Sequence, residues 1–230
     1  MMKPSPPLPP LPETPAPEGE PPPPPPPPPA PILPTFKPMS NINTNFKVAP
    51  SDIIQFDEPA FNVFFDEVND WGIATLEKAT EGLKCETAVH ICFGYGIKAN
   101  TDWKQTLGSE WRQYEAIFPK LQQSAIDMVS LECQNSRVPM ELIELIRGKK
   151  VMVGAIDVAT HQIETPEQVA ATLHKALQFV DAKNLYPCTN CGMAPLPRHV
   201  AQGKLSALAQ GAKLVRNDYL ATHQLDDLII

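Results

Sequence analysis

His90 and Cys92 are the first residues in this chain that suggest chemistry. They lie two apart in Thr87-Ala88-Val89-His90-Ile91-Cys92-Phe93-Gly94-Tyr95-Gly96, a short apolar run that loosens into glycines. On an extended strand that spacing sends both side chains to one face. A neutral imidazole and a thiolate aimed at one point suit a borderline or soft cation, zinc above all. Cys188-Thr189-Asn190-Cys191 adds two sulfurs, and Glu132 and Asp157 add carboxylates. Each piece alone has an ordinary reading. A structural four-cysteine zinc site needs a second Cys-x-x-Cys, and the sequence has none. A redox pair opens a helix, and Pro195 and Pro197 argue against a helix starting just after Cys191. Cys85 falls in a turn, and Cys133 reads as a small buried residue. One histidine, two cysteines and a glutamate would complete a tetrahedral zinc site.

These residues become a site only if the elements carrying them end at one place. Asp52–Phe56, Thr87–Phe93, Asp127–Glu132, Val151–Asp157 and Asn184–Pro187 read as strands. Between them lie helical stretches over 61–83, from about 100 to 123, and from Pro139 to Gly148. Another starts at Thr165, and the last covers 198–217. Thr165-Pro166-Glu167-Gln168 fits a capping box. Strand and helix therefore alternate five times, which predicts an α/β fold with a parallel sheet. An open doubly wound sheet and part of a (β/α)8 TIM barrel both fit. In either, function collects at the carboxyl ends of the strands. Asp57, Glu58, His90, Cys92, Glu132, Asp157, Cys188 and Cys191 all fall there. No glycine fingerprint follows the first strand, which weighs against a dinucleotide site.

Composition sets the limits. Of 28 prolines, 21 fall in residues 1–50, nine of them in the unbroken run Pro21–Pro29. Such a segment cannot bury enough apolar surface to offset its folding entropy, so 1–50 is expected to be a disordered, polyproline-prone arm. Residues 51–230 are expected to form one domain. Lysines and glutamates balance in the arm, so the net charge of −7 belongs to that domain and argues against nucleic acid. No apolar run reaches the length of a membrane span, and the start lacks the apolar core of a signal peptide. Five cysteines at uneven spacing fit a reducing cytoplasm.

Ile54-Gln55-Phe56-Asp57-Glu58-Pro59-Ala60, Val89-His90-Ile91-Cys92, Val129-Ser130-Leu131-Glu132, Gly154-Ala155-Ile156-Asp157 and Cys188-Thr189-Asn190-Cys191-Gly192 occur in that order. They resemble successive strand ends of the catalytic barrel of cobalamin-independent methionine synthases, above all the short single-barrel members. The resemblance runs from residue 51 to about 217. It implies a partial TIM barrel of five β/α units and a methyltransferase that makes methionine from homocysteine. It implies zinc held by His90, Cys92, Glu132 and Cys191, and Asp57 on the substrate amino group. The methyl donor it implies is methyltetrahydrofolate.

Two departures stand out. The full-length enzymes carry a histidine near the end of the strand matching Val151–Asp157, which protonates the departing folate nitrogen. By spacing that position is Ala159 here. This departure points to a different methyl donor or a different protonation, such as a methylated corrinoid in place of the folate; the alternative is that His161, the nearest imidazole, substitutes as catalytic acid. The family barrel also has three β/α units before Ile54, where this chain carries its proline-rich arm. Five strands leave two open sheet edges, so self-association through them is expected. The rival reading is an inactive barrel fragment, or an interaction module whose proline run docks an aromatic-lined partner.

Overall fold

A computed structural model of the chain describes residues 51–62, 64–93, 102, 106 and 108–222. The proline-rich arm, the expected helix start at 100–101 and the tail 223–230 lie outside the described residues.

Five strands form one sheet: β1 (Ile53–Asp57), β2 (Glu86–His90), β3 (Met128–Glu132), β4 (Lys150–Gly154) and β5 (Leu185–Cys188). They lie side by side in chain order, each parallel to the next. Parallel neighbours need a crossover between them, and the intervening segments supply it. They include α1 (Ile73–Thr80), α2 (Phe118–Gln123) and α3 (Pro166–Ala176), and α4 (Arg198–Thr222) follows β5. This is the expected partial barrel of five β/α units.

The two faces of the sheet differ in composition. Val89, Val129, Leu131, Val151 and Val153 point to one face and join Ile146, Leu121, Val169, Leu173 and Ala207 in a single apolar core. Burying each such side chain stabilises the fold by roughly 1.5–3 kcal/mol. The register pairs Asp57 with His90, and His90 with Ser130, so these three share the opposite face. Period-2 alternation thus divides packing from chemistry within the same strands. Polar contacts fix the register. Thr87 donates from its backbone N (2.8 Å) and its hydroxyl (3.0 Å) to Asp127 Oδ2, locking the start of β2 to that of β3.

The strands end earlier than their apolar runs. β2 stops at His90 and β4 at Gly154, where the sequence predicts continuation to Phe93 and Asp157. Helices differ more. The expected helix over 61–83 is a 3-10 turn (Pro59–Asn62), one α turn and a π-helical turn (Val68–Gly72) before α1. Trp71 in it is exposed rather than packed. Residues Met140–Ile146 form a 3-10 helix with Pro139 as its cap, not its first residue. Gly148 follows at φ +96°, a conformation that glycine adopts at little cost. The capping box of α3 is present: Thr165 Oγ1 accepts from Gln168 N (3.2 Å), and Gln168 Oε1 accepts from Thr165 N (2.9 Å).

Candidate metal centre

His90 closes β2, Glu132 closes β3, Cys92 lies two residues past β2 and Cys191 three past β5. One donor atom from each of the four lies within 4.8 Å of every other. They come from the carboxyl ends of three strands, β2, β3 and β5, where parallel strands put their loops together.

Every donor has a local reason for its place. His90 is buried, and its Nδ1 lies 2.9 Å from Ser130 Oγ on the neighbouring strand. Its other nitrogen, Nε2, is buried with no hydrogen-bond partner. A buried polar atom left this way costs stability unless something else takes it up. Glu132 is 2% exposed, and its Oε1 accepts from the backbone N of Phe93 at 2.8 Å. That bond draws the segment just past Cys92 back onto β3. The Cys92 and Cys191 sulfurs are 3.4 Å apart.

The loop that delivers Cys191 is held by Asn190, which is 1% exposed. Its Nδ2 donates to Gln134 O (2.8 Å), its Oδ1 accepts from Gln134 N (3.3 Å), and its own N donates to Ile156 O (2.9 Å). This packing needs a glycine opposite. A Cβ on Gly154 would stand 2.6 Å from Asn190 Oδ1 and 2.7 Å from Leu131 O.

The electrostatics are those of an anionic pocket. Burial lowers the His90 pKa, but Cys92, Glu132 and Asp57 outweigh it and the net shift is upward. Cys92 beside it, together with burial, pushes the Cys191 thiol up. Burial pushes the Cys133 and Cys188 thiols up to about 12 each. If Cys92 and Cys191 both ionised, two thiolates and a carboxylate would repel one another without a cation. Zinc bonds of about 2.0–2.3 Å hold tetrahedral donors roughly 3.3–3.8 Å apart, so a contraction of about 1 Å would complete the shell. The donor set and the orphaned Nε2 fit zinc.

Asp57 ends β1 beside His90 in register, exposed, with its Oδ1 accepting from Gln55 Nε2 at 2.8 Å. Glu58 follows it; burial, then the Asp57 charge, raises its carboxyl pKa. Asp157 does not join the cluster: it accepts from Asn135 Nδ2 (2.9 Å) and from Ala159 N (2.8 Å), folding its own loop. His161 is exposed on that loop and is not one of the clustered donors. Sequence reasoning missed what anchors the loop. Lys204 of α4, fully buried, donates to Glu164 Oε2 (2.9 Å), Asp157 O (2.8 Å) and Gln162 O. A lysine within a long amphipathic helix gives no sign of this.

Residues 41–214 match the family described as cobalamin-independent synthase, catalytic domain. The chain belongs to this family. Methionine synthases from Saccharolobus islandicus and Sulfurisphaera tokodaii are 28% identical over 176 residues and 29% over 172; the matches cover 76% and 74% of this chain, and 47% and 45% of theirs. A solved B12-independent methionine synthase from Shewanella sp. W3-18-1, in complex with selenomethionine, is 78% identical with a TM-score of 0.70. That match covers 74% of this chain and 50% of the other. The chain thus spans about half the length of the relatives it matches. No described helix is long and apolar enough to cross a membrane.

Proposed function

We propose that this chain carries the zinc and homocysteine sites of a cytoplasmic methyltransferase that forms methionine. The observation that carries the reading is the convergence of His90, Cys92, Glu132 and Cys191, with a buried and unpartnered His90 Nε2 at its centre. Bound there, zinc would lower the pKa of the homocysteine thiol, so that a thiolate forms near neutral pH.

The chain's own residues do the rest. His90, Cys92, Glu132 and Cys191 hold the cation and fix where the substrate sulfur can sit. Asp57 shares the His90 face of the sheet, and pairs with the substrate ammonium; the two contacts orient the side chain between them. In the transfer an S–CH3 bond forms. With methyltetrahydrofolate the N–CH3 bond breaks and the leaving nitrogen takes a proton; with a methylated corrinoid the Co–CH3 bond breaks and cobalt keeps the electron pair. Ala159 cannot supply that proton. His161 is the imidazole on the same loop, and it is exposed. The family match and the two archaeal methionine synthases support homocysteine as acceptor, and the selenomethionine held by the Shewanella protein is a methionine analogue.

The test is methionine formation from homocysteine with each donor in turn, with zinc measured on the same sample. Turnover with methyltetrahydrofolate that survives His161→Ala removes His161 as the acid. Stoichiometric zinc without turnover favours the second reading, a barrel fragment that keeps the metal site but not catalysis. That reading draws on the half-length coverage of the relatives.

A further inference from the structure

The two nitrogens of His90 have very different surroundings. Nδ1 lies 2.9 Å from Ser130 Oγ, while Nε2 is buried without a hydrogen-bond partner and belongs to a residue of the donor cluster. Ser130 is itself 3% exposed and sits opposite His90 in the β2–β3 register, so its hydroxyl is held by the sheet rather than by a flexible loop. A neutral imidazole carries one proton, and the hydrogen bond at one nitrogen decides which nitrogen is left for a cation. With the proton on Nδ1, the imidazole donates to Ser130 Oγ, and the Nε2 lone pair is left for a cation.

We propose that Ser130 is a positioning residue, which fixes His90 as an Nε2 ligand by accepting the Nδ1 proton from the adjacent strand. The inference rests on the zinc reading above, and goes beyond it by assigning the coordinating nitrogen and the residue that selects it. Ser130 is not one of the four clustered donors. Its effect reaches the site through the orientation and tautomer of one ring, and partners of this kind typically change metal affinity by about 10- to 100-fold.

The experiment compares the full chain with Ser130→Ala and Ser130→Thr. Zinc affinity is measured by competition with a chromophoric chelator. The coordinating nitrogen of His90 is read from long-range proton–nitrogen correlations in the zinc-loaded, nitrogen-15-labelled protein. The expected result is Nε2 coordination with a slowly exchanging Nδ1 proton in the wild type, about 10- to 100-fold weaker zinc binding in Ser130→Ala, and recovery in Ser130→Thr, which restores a hydroxyl. A wild-type chain that binds no zinc removes the metal reading and the inference with it. A wild type that binds zinc while Ser130→Ala binds it equally well removes the inference alone. If Ser130→Ala fails to fold, the wild-type spectrum still decides: coordination through Nδ1 overturns the assignment.

Discussion

Replacing Gly154 by alanine tests how the fold delivers Cys191 to the site. The added Cβ would lie 2.6 Å from Asn190 Oδ1, 2.7 Å from Leu131 O and 2.8 Å from Asn190 Cα. Two of these are backbone atoms, which cannot rotate away. Overpacking of this kind costs about 1–3 kcal/mol. If Asn190 shifts to relieve it, its two side-chain hydrogen bonds with the Gln134 backbone weaken, at about 0.5–1.5 kcal/mol each. The expected loss of stability is therefore roughly 2–6 kcal/mol in the metal-free protein. Because Asn190 precedes Cys191, zinc affinity should fall as well, although no ligand has been changed. Urea unfolding of the metal-free chain and chelator competition read the two effects separately. A Gly154→Ala chain with the wild-type unfolding midpoint and the wild-type zinc affinity would refute the argument, since it would mean that the Asn190 loop moves freely.

Three further outcomes follow from the same geometry. Asp57→Asn should weaken homocysteine binding and leave zinc in place; because the carboxylate is exposed, the loss is about 1 kcal/mol, less than for a fully desolvated pair. Joint loss of zinc and homocysteine would make Asp57 structural. Cys92 and Cys191, with sulfurs 3.4 Å apart, should form a disulfide when the metal-free chain meets peroxide, each thiol giving up a hydrogen as the peroxide is reduced to water, and zinc should protect them; a peptide map without the 92–191 crosslink contradicts this. The outer edges of β1 and β5 pair with no strand among the described residues, so sedimentation should show association of the chain. A cooperatively melting monomer would show that five units suffice alone.

Much of this fold is legible in the sequence because parallel strands announce themselves twice, once as apolar runs and again by the polar residues at their carboxyl ends. His90 and Glu132 close their strands, and Cys191 lies shortly past β5. The helices are less legible. Met140–Ile146 has an apolar pattern that serves a 3-10 helix as well as an α-helix, and Trp71 fits a buried stripe that the structure turns outward. The supports of the site are the least legible. Asn190, Gly154 and the Lys204–Glu164 pair act across 23 residues or more, and no local pattern records which distant backbone a buried amide or ammonium will meet. Cys92 is an intermediate case. Its two-residue spacing from His90 predicts a shared strand face, yet the strand has already ended, and the Phe93–Glu132 hydrogen bond brings the segment in instead.

Zinc content of the purified chain and of two variants tests the central claim most directly. The account predicts one zinc per chain in the wild type and a strong loss in both His90→Ala and Cys191→Ser, because alanine removes a donor and an alcohol replaces a thiolate poorly. Zinc that stays unchanged in both variants would contradict it, and would remove His90, Cys92, Glu132 and Cys191 as the metal centre.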